Sequence, residues 1–243
     1  MNNQNLKNNF LEILEYGKSA CSSSGLKPTQ KLYVKNKGVQ ISYLISKILI
    51  NLGPILIWTQ LFNKPMLFYS LLHEPVALLE YSRPQKLGYW MVLVHFFKIL
   101  FETVAIHRFN KQTMPLMKLI YEMAYTWLLL GLGGGYFLFN PQFQEPFWFQ
   151  KLGFLDVSVD LLIYLSFLAF ELMDFLCHWH LRGLRKDDHD RRYYNPFEYG
   201  FGYVTSANYF WQLCAFFIIV LTTQVLYIAL FHFLMFVRLN KKA

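Results

Sequence analysis

Four groups of ionisable or hydrogen-bonding residues recur at helical spacing in this 243-residue chain. The longest is Asp160, Tyr164, Phe167, Glu171, Asp174, His178, Arg182 and Arg185, at steps of three or four, which puts them on one face of one helix. A second, His95, Lys98 and Glu102, contains an i,i+4 Lys–Glu pair. Lys118, Glu122 and Tyr125 repeat that spacing, and Ser206, Asn208, Tyr209 and Gln212 open the last apolar stretch. Guanidinium groups bind phosphate through charge-assisted, often bidentate hydrogen bonds, so Arg182 and Arg185 suit a pyrophosphate or ribose phosphate. They equally suit a positive anchor at a membrane boundary. With Asp174 and His178 they stand where a water-soluble cofactor would reach the helix. A tyrosine, with a pKa of about 10 in water, serves as a general acid beside a developing enolate and under cationic neighbours. Tyr209 is placed for that role, although a chain with 16 Tyr also uses tyrosine as an interfacial belt.

Other patterns exclude chemistry. Gly131-Leu132-Gly133-Gly134-Gly135 lies inside an apolar run with no preceding strand, so it reads as a site of close helix packing and not as a dinucleotide loop. His178 and His180 are two apart on a helix and face different ways, and no metal site is expected. Cys21, Cys177 and Cys214 are too scattered for a disulfide framework or a zinc site. No nucleophile turn of the hydrolase type is present, and no stretch suggests nucleic acid contact.

The elements that must position these groups are membrane helices. Hydrophobic residues make up 55% of the chain and charged residues 16%, and several apolar runs approach the roughly 20 residues that a helix needs to cross a bilayer. Residues 1–38 read as a polar tail and 39–243 as a membrane-embedded domain. Lys31 to Lys35 alternate like a short strand. Spans are expected at about 41–62, kinked at Gly53-Pro54, and at 88–107, 116–139 and 154–181. The apolar stretch 204–238 would be about 52 Å as one helix, so Thr222-Thr223-Gln224 should divide it into two. The segment 66–80, with His73, Glu74 and Pro75, reads as a short interfacial or partly inserted helix. The expected fold is thus all-α, a polytopic bundle of about six spans. The net charge of +8, concentrated in the loops at 107–118 and 182–203 and in the tail, places both termini in the cytosol. Charged groups kept inside such helices must face protein and find partners.

The run from Lys98 through Glu102, His107 and Arg108 to Thr113-Met114-Pro115-Leu116 resembles the signature of the very-long-chain trans-2-enoyl-CoA reductases, within the steroid 5α-reductase superfamily. Leu32-Tyr33-Val34 through Gly38 to Tyr43, Gly53-Pro54, His178 through Arg182 to Arg185, Asn195-Pro196-Phe197, and Tyr203 through Asn208-Tyr209-Phe210 are similar to further motifs of that family, over about residues 31–240. The resemblance implies an oxidoreductase of the endoplasmic reticulum membrane that uses NADPH to reduce a trans-2-enoyl-CoA, the last step of fatty-acid elongation. By position, it implies Tyr209 as proton donor, with Lys98 and Glu102 in the catalytic site. Arg108, His107, Asp174, His178, Arg182, Arg185 and Asn208 would hold the cofactor. Acyl-CoA, the bilayer and other elongation enzymes are the implied partners.

The chain departs from the family at Ile50-Asn51-Leu52, where relatives carry an acidic residue, and at Asp174 and Gln212, where they tend to have Asn and Glu. An Asp174 near phosphate should pair, with His178 one turn on as the candidate. Against the family pattern, an N-terminal ubiquitin-like domain and a basic C-terminal segment are expected to be missing. Two alternatives stand beside the reductase: a catalytically impaired binding or scaffold subunit of the elongation complex, and a steroid or polyprenol enone reductase.

Overall fold

The computed structural model describes residues 38–63, 80–109, 112–151, 156–185 and 194–240, all within the compact unit Gly38–Ala243. This part is mostly helical. In chain order it contains β1 (Gln40–Ser42), α1 (Tyr43–Asn63), α2 (Arg83–Ala105), β2 (Thr113–Pro115), α3 (Leu116–Met123), a π-helical stretch (Ala124–Gly134) and α4 (Gly135–Leu138). Then follow α5 (Phe147–Lys151), α6 (Asp156–Gly183), α7 (Ala207–Thr223) and α8 (Leu226–Asn240). The strand expected at Lys31–Lys35 lies outside the described residues, as does nearly all of the helix expected at 66–80.

Among the described residues, α1 and α2 have the length and composition to cross a bilayer. They are fewer than the spans read from the apolar runs, for physical reasons. α6 is 28 residues long but carries a charged face, the run from Leu116 to Leu138 changes helical pitch midway, and α7 and α8 have only 17 and 15 residues. The division of the last stretch falls where the polar triplet stands. Thr222 and Thr223 turn their hydroxyls back onto Ile218 and Ile219 carbonyls, and Gln224 adopts a left-handed conformation (φ 50°) that ends α7.

The two strands qualify the all-α expectation. β1 pairs antiparallel with β2, Ile41 opposite Met114, and the ladder is extended by Leu116 N–H to Val39 O and Tyr43 N–H to Gln112 O, both 2.9 Å. The ribbon fastens the start of α1 to the start of α3. Strands of three residues are too short to show alternation in a sequence.

Gly53-Pro54 docks an indole. Proline has no N–H to give the carbonyl of Ile50 four residues back. The Trp127 indole donates instead, to Ile50 O and Leu49 O at 3.2 Å each. A Cβ on Gly53 would lie 2.0 Å from that ring nitrogen, so glycine leaves the space for the ring. Trp58, fully buried, donates in the other direction to Leu130 O at 3.0 Å. The glycine-rich run serves the packing expected of it: a Cβ on Gly135 would meet Leu61 of α1 at 2.8 Å. Tyr81, Tyr89 and Phe139 surround Phe62 in the same core, with Tyr89 stacked on it at 4.0 Å. α2 begins where Gln85 turns its side chain back to the Ser82 N–H (2.8 Å), with Pro84 in the first turn, where its missing N–H is not needed.

The stripe on α3 and the π-helical stretch faces α8. Glu122 pairs with Arg238 at 2.5 Å, and Tyr125 donates to Phe231 O at 2.8 Å beneath the same guanidinium. Lys118 is exposed, in accord with a side chain reaching toward solvent.

Candidate active site

The long stripe of α6 lies along α2, and its charged members each meet a group of that helix or of the turn after it. From one end to the other, Asp160 faces Arg83 (3.8 Å), Glu171 faces His95 (2.6 Å) and Lys98 (2.9 Å), and Asp174 bonds Lys98. His178 donates from Nδ1 to Glu102 at 3.0 Å. At the last residue of α2, Arg182 donates to Ala105 O, and just beyond it Arg185 donates to Arg108 O (2.5 Å) and Arg108 to Arg185 O. Helical spacing explains the match: residues at steps of three and four on two adjacent helices present facing rows, and opposite charges stand opposite. His95, Glu102, Glu171 and Asp174 are all buried. In so dry a seam each charge needs its partner.

The end of the seam at Glu102 and His178 opens into a cavity of about 950 Å³. Glu102, His107, Arg108, His178, Arg182, Arg185, Asn208 and Tyr209 all contribute to its wall. Asn208 and Tyr209 come from the first turn of α7, and the Asn208 amide meets His178 Nε2 at 3.3 Å. Lys98 and Asp174 are not in the wall: they stand behind Glu102 and His178 as a buried ion pair. Asp174 therefore has Lys98 as its close cation, with His178 Nε2 more distant at 3.9 Å. The wall thus includes three guanidiniums, an imidazole–carboxylate pair, and the Tyr209 phenol.

In the turn past α2, burial first, and then the neighbouring His178, bring the His107 imidazole down to about 4. It is a neutral donor–acceptor at physiological pH. Glu102, His107 and His178 bring three ligand-capable atoms within 4.8 Å of one another. Within that group His178 Nδ1 and Glu102 are hydrogen-bonded at 3.0 Å, and Lys98 stands 3.6 Å from the same Glu102 carboxylate. The geometry is that of a hydrogen-bonded cluster.

Sequence reasoning left out the α1 side of the cavity. Tyr43, Lys47 and Asn51 line it, with the Lys47 ammonium over the Tyr43 ring at 5.7 Å and Asn51 donating to Lys47 O. Their steps of four in an otherwise apolar helix were the available signal. Phe197 and Thr205, from the segment before α7, line it as well. Nothing periodic marks them.

With this geometry in hand, the sequence comparisons decide the family. A profile described as 3-oxo-5-alpha-steroid 4-dehydrogenase matches residues 112–243, more than half of the chain. The chain belongs to this family. Within the 3-oxo-5-alpha-steroid 4-dehydrogenase family, the chain is 28% identical over 209 residues to a Trypanosoma brucei brucei protein provisionally named enoyl-CoA reductase, covering 86% of this chain and 66% of that protein. It is 29% identical over 190 residues to a Schizosaccharomyces pombe protein provisionally named enoyl reductase (77% and 59%). A Caenorhabditis elegans protein provisionally named very-long-chain enoyl-CoA reductase is 27% identical over 193 residues (76% and 58%). The match thus spans less than two thirds of each of these relatives.

Proposed function

We propose that the protein is a membrane-embedded reductase that saturates the trans-2 double bond of a very-long-chain enoyl-CoA with NADPH, the last step of the fatty-acid elongation cycle. The observation that carries this reading is one cavity walled by three arginines and by Tyr209. The donor set fits a multiply phosphorylated cofactor, since guanidinium forks bind phosphate oxygens and the Asn208 amide adds a neutral donor and acceptor. Arg108, Arg182, Arg185, His107, His178 and Asn208 would hold the cofactor, which when bound supplies a hydride.

The chain's own residues supply the rest. Tyr209 donates its proton to Cα of the substrate. Glu102 and His178 fix the polar wall, and Lys98 and Asp174 hold Glu102 and His178 from behind. Hydrogen-bonded Arg182 and Arg185 close the end of the seam over that wall. The relatives named for enoyl reduction support the reaction class, and the apolar helices support a membrane location; an endoplasmic reticulum site with about six spans and cytosolic termini belongs to the same proposal. Residues 1–38 would then be a polar tail, and other elongation enzymes would be natural neighbours.

The test is NADPH oxidation by membranes containing the protein, with and without a trans-2-enoyl-CoA. Tyr209→Phe should lower turnover by about a hundredfold or more while expression and NADPH binding stay unchanged. Unaltered turnover in that variant would remove Tyr209 from the role. A second reading, a steroid enone substrate, is favoured by the description of the family profile. It uses the same acid, and competition between an enoyl-CoA and a 3-oxo-steroid for turnover separates the two.

A further inference from the structure

Around Lys98, the seam between α2 and α6 holds more carboxylates than ammonium or guanidinium groups. Glu102, Glu171 and Asp174 surround Lys98, at 3.6 Å, 2.9 Å and hydrogen-bond contact respectively. Three negative charges against one positive leave an excess of two. None of the three carboxylates is more than 4% exposed, and burying two uncompensated charges in an apolar bundle costs several kcal/mol each. Two imidazoles stand where two protons would restore neutrality: His95 Nδ1 at 2.6 Å from Glu171 and His178 Nδ1 at 3.0 Å from Glu102. Among the described residues, Glu102 and Asp174 each keep one oxygen with no hydrogen-bond donor, which is also the mark of a cluster drawn short of protons. The two imidazole–carboxylate pairs differ in access. His95 is 1% exposed, with its ring against Phe96 and Phe216, whereas His178 and Glu102 line the cavity.

We propose that the His178–Glu102 pair is a proton reservoir that reloads Tyr209 after each turnover, an inference that rests on Tyr209 being the acid. Once Cβ of the enoyl thioester has accepted a hydride, the Tyr209 O–H bond breaks as the Cα–H bond forms, and a phenolate remains. The His178 Nε2–H bond then breaks and the Tyr209 O–H bond re-forms, directly or through one cavity water. A neutral imidazole is left, its Nδ1–H still donated to Glu102, and water entering the cavity returns a proton to Nε2. The Asn208 amide beside Nε2 serves both states, since its NH₂ meets the neutral ring and its oxygen, after a flip, meets the charged one. The groups that bias His178 are Lys98 and Glu102 from α2, His107 from the turn after it, Asp174 and Arg182 one turn away on α6, and Asn208 and Tyr209 on α7.

Rapid mixing of the full-length protein with NADPH and a trans-2-enoyl-CoA tests this. In His178→Gln the later turnovers should be slower than the first by about tenfold or more, producing a burst, because Tyr209 starts protonated and is then not reloaded. Added imidazole should restore the later turnovers in His178→Gly. His95→Gln, altering the pair shut off from the cavity, should give no burst. In the protein without substrate or cofactor, ¹⁵N NMR of labelled histidine should find the His178 ring doubly protonated at neutral pH, and singly protonated in Glu102→Gln. Equal slowing of first and later turnovers, absence of imidazole rescue, or a neutral His178 ring would each overturn the reservoir. If Tyr209→Phe turns over normally, the acid assignment itself is at fault. If that variant is dead and His178→Gln shows no burst, the reservoir alone fails.

Discussion

Two buried seams run through this molecule and solve the same packing problem with opposite chemistry. Between α2 and α6 the contact is made by charges: Arg83–Asp160, His95–Glu171–Lys98–Asp174 and Glu102–His178 in sequence along one line. Between α1 and the helical run Leu116–Leu138 it is made by indoles and missing side chains, with Trp58 and Trp127 each donating to a main-chain carbonyl of the opposite helix and Gly53 and Gly135 clearing the space. The indole and glycine contacts of the aromatic seam fix helices through groups that do not titrate. The charged seam costs desolvation at every member, and desolvated ion pairs are weak as pure stabilisers. A bundle that packs one seam with tryptophan has no need of charges to pack another, so the charged seam is better understood through what it borders. It ends in the cavity wall, at Glu102 and His178.

The difference predicts unequal responses to truncation. Lys98→Met removes the ammonium that stands among three buried carboxylates and should destabilise the protein by about 3–5 kcal/mol, read as thermal unfolding in detergent or as loss of folded protein from membranes. Adding Asp174→Asn should recover part of that loss by removing one of the stranded charges. If Lys98→Met is tolerated alone, the cluster is not held together by charge.

The aromatic seam should fail through volume. Gly53→Ala puts a methyl group 2.0 Å from the Trp127 ring nitrogen, which the ring must vacate. The expected cost is about 1–3 kcal/mol, with no change in the protonation of His178 or in any turnover burst, because no titratable group is touched. An effect on those readouts would mean that the two seams are coupled.

How much of this was legible in the sequence differs between the seams for the same reason. Charges in apolar helices are conspicuous, and their steps of three and four mark one polar stripe on α2 and another on α6 from the sequence alone. The break of the last apolar stretch at Gln224 was legible because three polar residues interrupt it. What spacing did not give is the partner across helices: the expected Asp174–His178 pair is present at 3.9 Å, but Lys98 on the other helix stands closer to Asp174. Partner choice across helices depends on axial register, which single-helix periodicity does not contain. The β1–β2 ribbon was missed because three-residue strands have no period, and Tyr43, Lys47 and Asn51 because mild polarity at steps of four was outweighed by the apolar run around them. Gly53-Pro54 was read as a kink because its partner, Trp127, is 73 residues or more away in the chain.

That last partnership carries the smallest of the expected effects and the sharpest test of the aromatic seam. Trp127→Phe keeps the ring and removes the indole N–H, leaving Ile50 O without its donor, at a cost of about 1–2 kcal/mol. Pro54→Ala supplies a backbone N–H four residues after Ile50, the donor a helix normally provides. In the double variant the carbonyl is satisfied from within α1, so the loss caused by Trp127→Phe should shrink by about 1 kcal/mol relative to the proline background. Strict additivity of the two substitutions would mean that the indole acts only as a ring filling the space beside Gly53, and that the carbonyl freed by proline is satisfied by another donor.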